Sequence, residues 1–248
     1  MAHSVLTQIR NASSAGHKLV ALLIDPDSFR SGETIDMIED SGADMVFVGG
    51  SLISHGNLDE TVSAIRLRIR IPVVIFPGSI LQISSKASAI LNLSLISGRN
   101  PEFLIGQHVV AAPLLKASGL EIIPTGYMLI DGGKQTTASY ISGTTPIPHD
   151  KADIAVCTAI AGEMLGLQLI YLDGGSGAHE SVSEKMVHAV KKNISVPLLA
   201  GGGIRSIETA EKIARAGADL LVVGNVLQEE PELARKIVNA IHSIHIRA

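Results

Sequence analysis

Five short segments combine carboxylates, hydroxyls and glycines in patterns that suit phosphate chemistry. Ile24-Asp25-Pro26-Asp27 ends an apolar run. Proline at 26 pushes Asp25 into an extended conformation and so leaves its carboxylate at the end of that run. A carboxylate there could hold Mg²⁺, which favours one or two carboxylates plus substrate phosphate oxygens; the alternative is an ordinary Asp-Pro turn. Gly49-Gly50-Ser51 follows a second apolar run, and Ser51 can offer its hydroxyl to a metal or a phosphate beside Asp25. Tyr171-Leu172-Asp173-Gly174-Gly175-Ser176-Gly177 is a glycine-rich turn leading to a helix, whose amides can meet an anion. Strand alternation puts Asp173 on the same face as Tyr171. There it could orient a polar substrate or accept a proton. Gly201-Gly202-Gly203 and Gly224-Asn225 are two more small-residue turns, with Ser206 poised to cap the helix after the first.

The elements that must position these residues alternate along the whole chain. Short apolar runs read as strands at Leu19–Ile24, Met45–Val48, Val73–Phe76, Ile90–Ile96, Glu121–Pro124, Leu169–Leu172, Pro197–Ala200 and Leu220–Val223. Near-continuous apolar strands are buried on both faces, which predicts a parallel sheet covered by helices. Helical patterns lie between them, among them Thr34–Asp40, Glu102–Ala117, Ser183–Lys192 and Glu208–Arg215. A further helix is expected before Lys18 and a last one over Pro231–Ile246, with Pro231 in its first turn. Ser181-Val-Ser-Glu184 has the spacing of a capping box. The expected fold is therefore a single (β/α)₈ barrel over residues 1–248, a length typical of that fold. The glycine turns after the seventh and eighth strands are where many such barrels bind phosphate, which favours closure over a doubly wound open sheet. An internal echo between Ser41–Leu52 and Ala216–Leu227 agrees with repeated βα units. The stretch Asp131–Asp150 breaks the rhythm with three glycines and two prolines, and reads as a binding loop or a surface insertion.

Bulk properties exclude several classes. The net charge is −4, there is no Trp, and only 3 Tyr and 4 Phe occur, so neither a basic surface nor stacking platforms for nucleic acid are expected. One cysteine, Cys157, cannot form an internal disulfide, and its alanine-rich setting reads as core. Residues Met1 to Lys18 lack an apolar signal-peptide region, so a cytoplasmic location is expected. The scattered histidines form no zinc-binding pattern, and His188, His242 and His245 read as solvated groups on helices.

Taken together, Leu23-Ile-Asp-Pro-Asp27, Gly49-Gly-Ser51, Ser97-Gly-Arg-Asn-Pro101, Ile123-Pro-Thr-Gly-Tyr127, the Tyr171 to Ala178 run, Gly201-Gly-Gly-Ile204 and Gly224-Asn225 resemble geranylgeranylglyceryl phosphate synthase. The likeness runs in order from about residue 18 to 226, in the manner of the longer archaeal and bacterial group. It implies a prenyltransferase in which the 3-hydroxyl of sn-glycerol 1-phosphate attacks C1 of geranylgeranyl diphosphate and diphosphate leaves. By the same resemblance Asp25 and Ser51 hold Mg²⁺, while Tyr171 to Gly177, Gly202, Gly203, Gly224 and Asn225 bind glycerol phosphate. Asp173 becomes the candidate base. A homo-oligomer, dimer or hexamer, is implied, and peripheral contact with membrane lipid is compatible with the substrates. The chain departs from the family at two places. Asp173 stands where Glu is usual, and Ser28 stands where a Lys is usual, which makes Arg99 a candidate cation for diphosphate.

The prenyl tail needs an apolar groove, for which Leu81, Ile83, Ala87 and Ala89 are candidate linings. Heptaprenyl diphosphate is the alternative donor. A sugar-phosphate isomerase would need a second carboxylate after the fifth strand, where Pro124-Thr125-Gly126 offers none. A catalytically silent phosphate- or lipid-binding barrel is the remaining alternative.

Overall fold

The computed structural model describes residues 4–224, 226 and 229–246. Its eight strands are β1 (Leu19–Ile24), β2 (Met45–Val48), β3 (Val73–Ile75), β4 (Ala89–Leu95), β5 (Glu121–Leu129), β6 (Leu169–Asp173), β7 (Leu198–Gly201) and β8 (Leu220–Val223). They pair in parallel in chain order, and β8 pairs back onto β1 to close the barrel. Most strands are buried on both faces, with the start of β5 and the middle of β4 less so, and alternation sorts the side chains. Leu169 and Tyr171 of β6 join Met45, Phe47, Leu91 and Leu199 inside the barrel. Ile170 and Leu172 face outward into the layer between sheet and helices. Each such fully buried aliphatic side chain contributes about 1.5–3 kcal/mol.

The helices are α1 (Val5–Ala15), α2 (Ser31–Ser41), α3 (Leu58–Arg68), α4 (Gln107–Ser118), α5 (Thr137–Ser142), α6 (Ala152–Met164), α7 (Glu184–Lys191), α8 (Ile207–Ala216) and α9 (Pro231–His242). The N-terminal helix does not cover a side of the barrel. It plugs the end opposite the strand C-termini, with Val5 and Ile9 inserted into the interior cluster. Glu121, at the start of β5, anchors it by accepting from the backbone amides of Val5 (2.6 Å) and Leu6 (3.0 Å). Those are two of the donors that a helix start leaves without partners.

Several expectations shift in detail. Strand β5 does not stop at Pro124 but runs to Leu129. The proline removes one donor, yet its carbonyl still accepts from the Gln168 amide at 2.8 Å, and the register with β4 continues to Leu95 and Tyr127. The helix after β6 is capped by Ser183, whose side chain accepts from Met186, so the capping box from Ser181 is not formed. Residues 102–106 make a π-helical turn before α4. Cys157 is exposed, because Ala155, Ala159 and Gly162 set the inward face of α6 and Cys157 is out of phase with them. His242 binds Asp44 at 2.9 Å instead of standing free in solvent. Among the described residues no helix is long and apolar enough to cross a membrane.

Candidate active site

The strand C-termini converge on a cleft of about 350 Å³. Strand β1 delivers Asp25, which caps a short 3₁₀ turn at Pro26–Ser28 by accepting from the Asp27 amide at 3.0 Å. Strand β2 delivers Gly50 and Ser51 to the same wall. A Cβ added at Gly50 would lie 3.3 Å from Asp25 Oδ2, so the β2 turn passes directly over that carboxylate. Burial raises the Asp25 carboxyl above the ordinary carboxylate range, against the bond from Asp27. A hard cation beside it would reverse that shift. One carboxylate, one hydroxyl and an open cleft fit Mg²⁺ completed by substrate oxygens and water. Among the described residues no group of three or more metal-binding side chains forms a ready-made cage.

The loop after β1 is tied to the loop after β2. The Asp27 carboxylate accepts from the Ser54 hydroxyl (2.6 Å) and from the amides of Ser54, His55 and Gly56. These bonds hold its pKa far below the usual range. They also fix the segment that carries Ser51.

Strand β6 delivers Tyr171 and Asp173, both buried and both facing the interior as alternation predicts. Asp173 Oδ2 accepts from the Tyr127 hydroxyl at 2.6 Å, and Oδ1 accepts from the Gly175 amide at 2.7 Å. Burial raises the Asp173 carboxyl, while these two bonds favour its charged form. Tyr127, Tyr171 and Phe76 pack as an aromatic cluster, with ring centroids 5.4–5.8 Å apart. Burial pushes both tyrosines well above the ordinary phenol value, so each hydroxyl stays protonated. The sequence reading missed Tyr127, because it ended β5 before reaching it; inward alternation from Ile123 through Thr125 would have found it.

The β6 and β7 turns bring Gly175, Ser176, Gly177, Gly202 and Gly203 into the cleft wall, and Gly224 lies beside them. Gly202 has φ +81°, and a Cβ there would sit 2.5 Å from the Gly175 amide nitrogen and 2.8 Å from Asp173 Oδ1. Only glycine lets the β7 turn approach the carboxylate so closely. Leu172 points outward into the helix layer, so its side chain cannot touch a ligand. Gly174 lies behind the wall, its amide bonded to the Gly201 carbonyl. Asn225 lies outside the described residues. Arg99 does not reach the cleft; it is exposed and donates to the Gly98 carbonyl at 2.8 Å. Among the described residues, the cation that does line the cleft is Arg205, on the turn after β7, which sequence reasoning passed over. Asp131, the acid that follows the true end of β5, accepts from the Gly133 amide and lies outside the lining.

An apolar groove of about 110 Å³ opens from the cleft, sharing Ser51, Phe76 and Tyr127 with it. Ile83, Leu93, Phe103, Ala111 and Leu115 line it, so it runs between the strand ends and α4. Of the expected linings only Ile83 takes part. Leu81 is 87% exposed and Ala89 is sealed in the barrel interior, while Ala87 packs on the outer core.

The PcrB family model matches residues 15–242. A geranylgeranylglyceryl phosphate synthase from Spirosoma linguale is 51% identical over 243 residues, covering 97% of this chain and 98% of that protein. One from the archaeon Methanosphaera stadtmanae is 35% identical, covering 95% and 97%. The crystal structure of (S)-3-O-geranylgeranylglyceryl phosphate synthase from Thermoplasma acidophilum, in complex with substrate sn-glycerol-1-phosphate, superposes with a TM-score of 0.91 at 34% identity. It covers 98% of this chain and all of the other.

Proposed function

The chain belongs to the PcrB family, and from that premise we infer that it is a prenyltransferase joining sn-glycerol 1-phosphate to geranylgeranyl diphosphate. The observation that carries this reading is the continuity of two unlike spaces. A polar cleft ringed by Gly175, Gly202 and Asp173 opens into an apolar groove at Ser51 and Phe76. A phosphorylated polyol suits the first, and an isoprenoid tail suits the second. Their junction is where the 3-hydroxyl would meet C1 of the donor. There the C–O bond to diphosphate breaks, the ether C–O bond forms, and the hydroxyl proton passes to Asp173.

The residues present define their roles. Asp173, fixed at both oxygens, orients the hydroxyl and receives its proton. The amides of the β6 and β7 turns bind the phosphate of the acceptor. The aromatic cluster of Phe76, Tyr127 and Tyr171 keeps water from the developing allylic cation, and its ring faces complement positive charge. Asp25 and Ser51 would hold Mg²⁺, which when bound offsets the negative charge of the leaving diphosphate. Arg205 supplies further positive charge at the cleft in place of Arg99.

We also propose a homo-oligomer. Val109, Val110 and Leu114 on α4, and Met164 and Leu165 at the end of α6, leave apolar side chains exposed on each helix. Such exposed apolar surface marks association sites. A second copy of this chain is the occupant.

The experiment that tests the reaction is transfer of labelled geranylgeranyl diphosphate to sn-glycerol 1-phosphate, with Mg²⁺ and with EDTA, beside farnesyl and heptaprenyl diphosphates. Mg²⁺-dependent ether product with the geranylgeranyl donor is expected. A faster heptaprenyl reaction would move the donor assignment. No product from any donor would leave a phosphate-binding barrel without this chemistry.

A further inference from the structure

Between β5 and α5 lies a short segment, residues 131–136, that folds directly onto the β6 turn. The Gly132 carbonyl accepts from the amides of His179 (2.8 Å) and Glu180 (3.1 Å), just beyond that turn. Gly132 packs so closely that an added Cβ would lie 2.6 Å from the Ala178 Cβ and 2.8 Å from the Gly174 carbonyl oxygen. At its other end Thr136 caps α5 through a reciprocal bond pair with Ser139. Its side chain fills the space in front of Gly175, where an added Cβ would be 2.6 Å from Thr136 Cγ2. The two loops are thus interlocked on both sides of Lys134.

The lysine between these anchors reaches the same turn. Its Nζ lies 3.3 Å from where a Cβ of Gly177 would stand. Gly175 and Gly177 both have positive φ, at +86° and +71°, a turn geometry typical of anion-binding concavities; the Gly175 amide is held by Asp173, so the anion would meet the amides beyond it. Among the described residues Lys134 makes no ion pair and no side-chain hydrogen bond. An unpaired ammonium held against an amide-rich turn is a half-built anion site. Arg205, which lines the cleft, sits on the turn after β7. Strands β5 and β7 are the two neighbours of β6 in the barrel. The β6 turn is therefore bracketed by one cation from each side.

We propose that Lys134 is a phosphate-binding residue for the acceptor, closing its ammonium over the β6 turn onto the phosphate of sn-glycerol 1-phosphate. The proposal rests on the reading of that turn as the acceptor's phosphate site. It assigns the segment 131–136 a role in binding, and it places a cation at the opposite end of the acceptor from the reacting hydroxyl. Such a group contributes to binding the acceptor equally in ground and transition states, so its loss falls on KM and leaves kcat in place.

The test is calorimetric titration of sn-glycerol 1-phosphate and of inorganic phosphate into the wild-type protein, Lys134→Met and Lys134→Arg, with steady-state kinetics alongside. Methionine keeps the apolar stem, and because Lys134 is exposed the fold is retained. In Lys134→Met both ligands should bind about tenfold more weakly or worse, as expected for a lost charge-assisted bond. KM for the acceptor should rise by the same factor, with kcat and KM for the prenyl diphosphate unchanged. Lys134→Arg should recover most of the binding. Wild-type affinity in Lys134→Met would overturn the assignment while leaving the phosphate site intact. Absence of binding by the wild-type protein itself would overturn the underlying phosphate reading, and the lysine's role with it.

Discussion

The Tyr127 hydroxyl donates to Asp173 Oδ2 at 2.6 Å, joining the neighbouring strands β5 and β6 inside the barrel. With the Gly175 amide on Oδ1, the bond occupies one lone pair on each carboxylate oxygen and leaves the others toward the cleft. Two influences oppose each other at this side chain. Burial favours the neutral acid, and the two donors favour the carboxylate. A base must be charged to accept a proton, so Tyr127 keeps the buried aspartate usable.

Replacing Tyr127 with Phe should therefore do two things. Losing a hydrogen bond to a charged group should lower kcat by about 10–100-fold. It should also raise the Asp173 pKa further, moving the acidic limb of the kcat profile to higher pH. A pH profile on Tyr127→Phe and wild type checks this, and an unmoved limb would mean that the tyrosine does not act through Asp173.

Asp173→Asn separates stability from activity. Because burial raises the folded-state pKa of Asp173, the native state binds that proton more tightly than the unfolded chain. Stability from this group is present below the ordinary carboxylate pKa and is lost as pH rises through the raised folded value. Above that value the charged side chain is a net cost, which the isosteric amide removes, its Oδ1 accepting from the Gly175 amide and its Nδ2 donating to the Tyr127 hydroxyl oxygen. Asp173→Asn should melt higher than wild type at pH 7, with the gain vanishing in acid. A gain of about 1 kcal/mol would appear as about 2–4 °C. Its transfer activity should fall by about 10²–10⁴-fold as the base is lost.

Strand order, closure and the glycine turns were legible because buried parallel strands leave unbroken apolar runs and phosphate turns leave runs of small residues. Asp173 and Tyr171 were placed on one face by period-two alternation alone, and the interior cluster contains that face. Tyr127 escaped because Pro124 looked like a strand end, whereas the barrel's two-sided pairing carries β5 through it. Arg99 and Arg205 could not be ranked, because which cation reaches the cleft depends on loop paths that local sequence does not encode. Lys134 was hidden for the same reason. Its proximity to Gly177 exists only once the β5 and β6 loops interlock.

Removal of Mg²⁺ and removal of its carboxylate should have matching effects. EDTA should abolish ether formation, and Asp25→Asn should raise the Mg²⁺ concentration for half-maximal activity by about tenfold or more, since ligand charge sets affinity for a hard cation. Calorimetric binding of sn-glycerol 1-phosphate should be unchanged in Asp25→Asn, because the acceptor's phosphate lies at the β6 and β7 turns. Full activity in EDTA would remove the metal from the mechanism.

The exposed apolar face of α4 makes the oligomer testable by charge. Val110 and Leu114 lie four residues apart on one side of α4, 63% and 62% exposed, while Ala111 and Leu115, about 100° further round the helix, are buried. A glutamate at 110 or 114 therefore costs the isolated subunit little, but in an apolar interface it would be a buried unpaired charge. Val110→Glu combined with Leu114→Glu should shift the mass measured by light scattering from a multiple of 26.0 kDa to that of one chain. The melting temperature should then lose its dependence on protein concentration. A wild-type protein that is monomeric at micromolar concentration, or a double variant that keeps the wild-type mass, would show that this face does not hold two copies together.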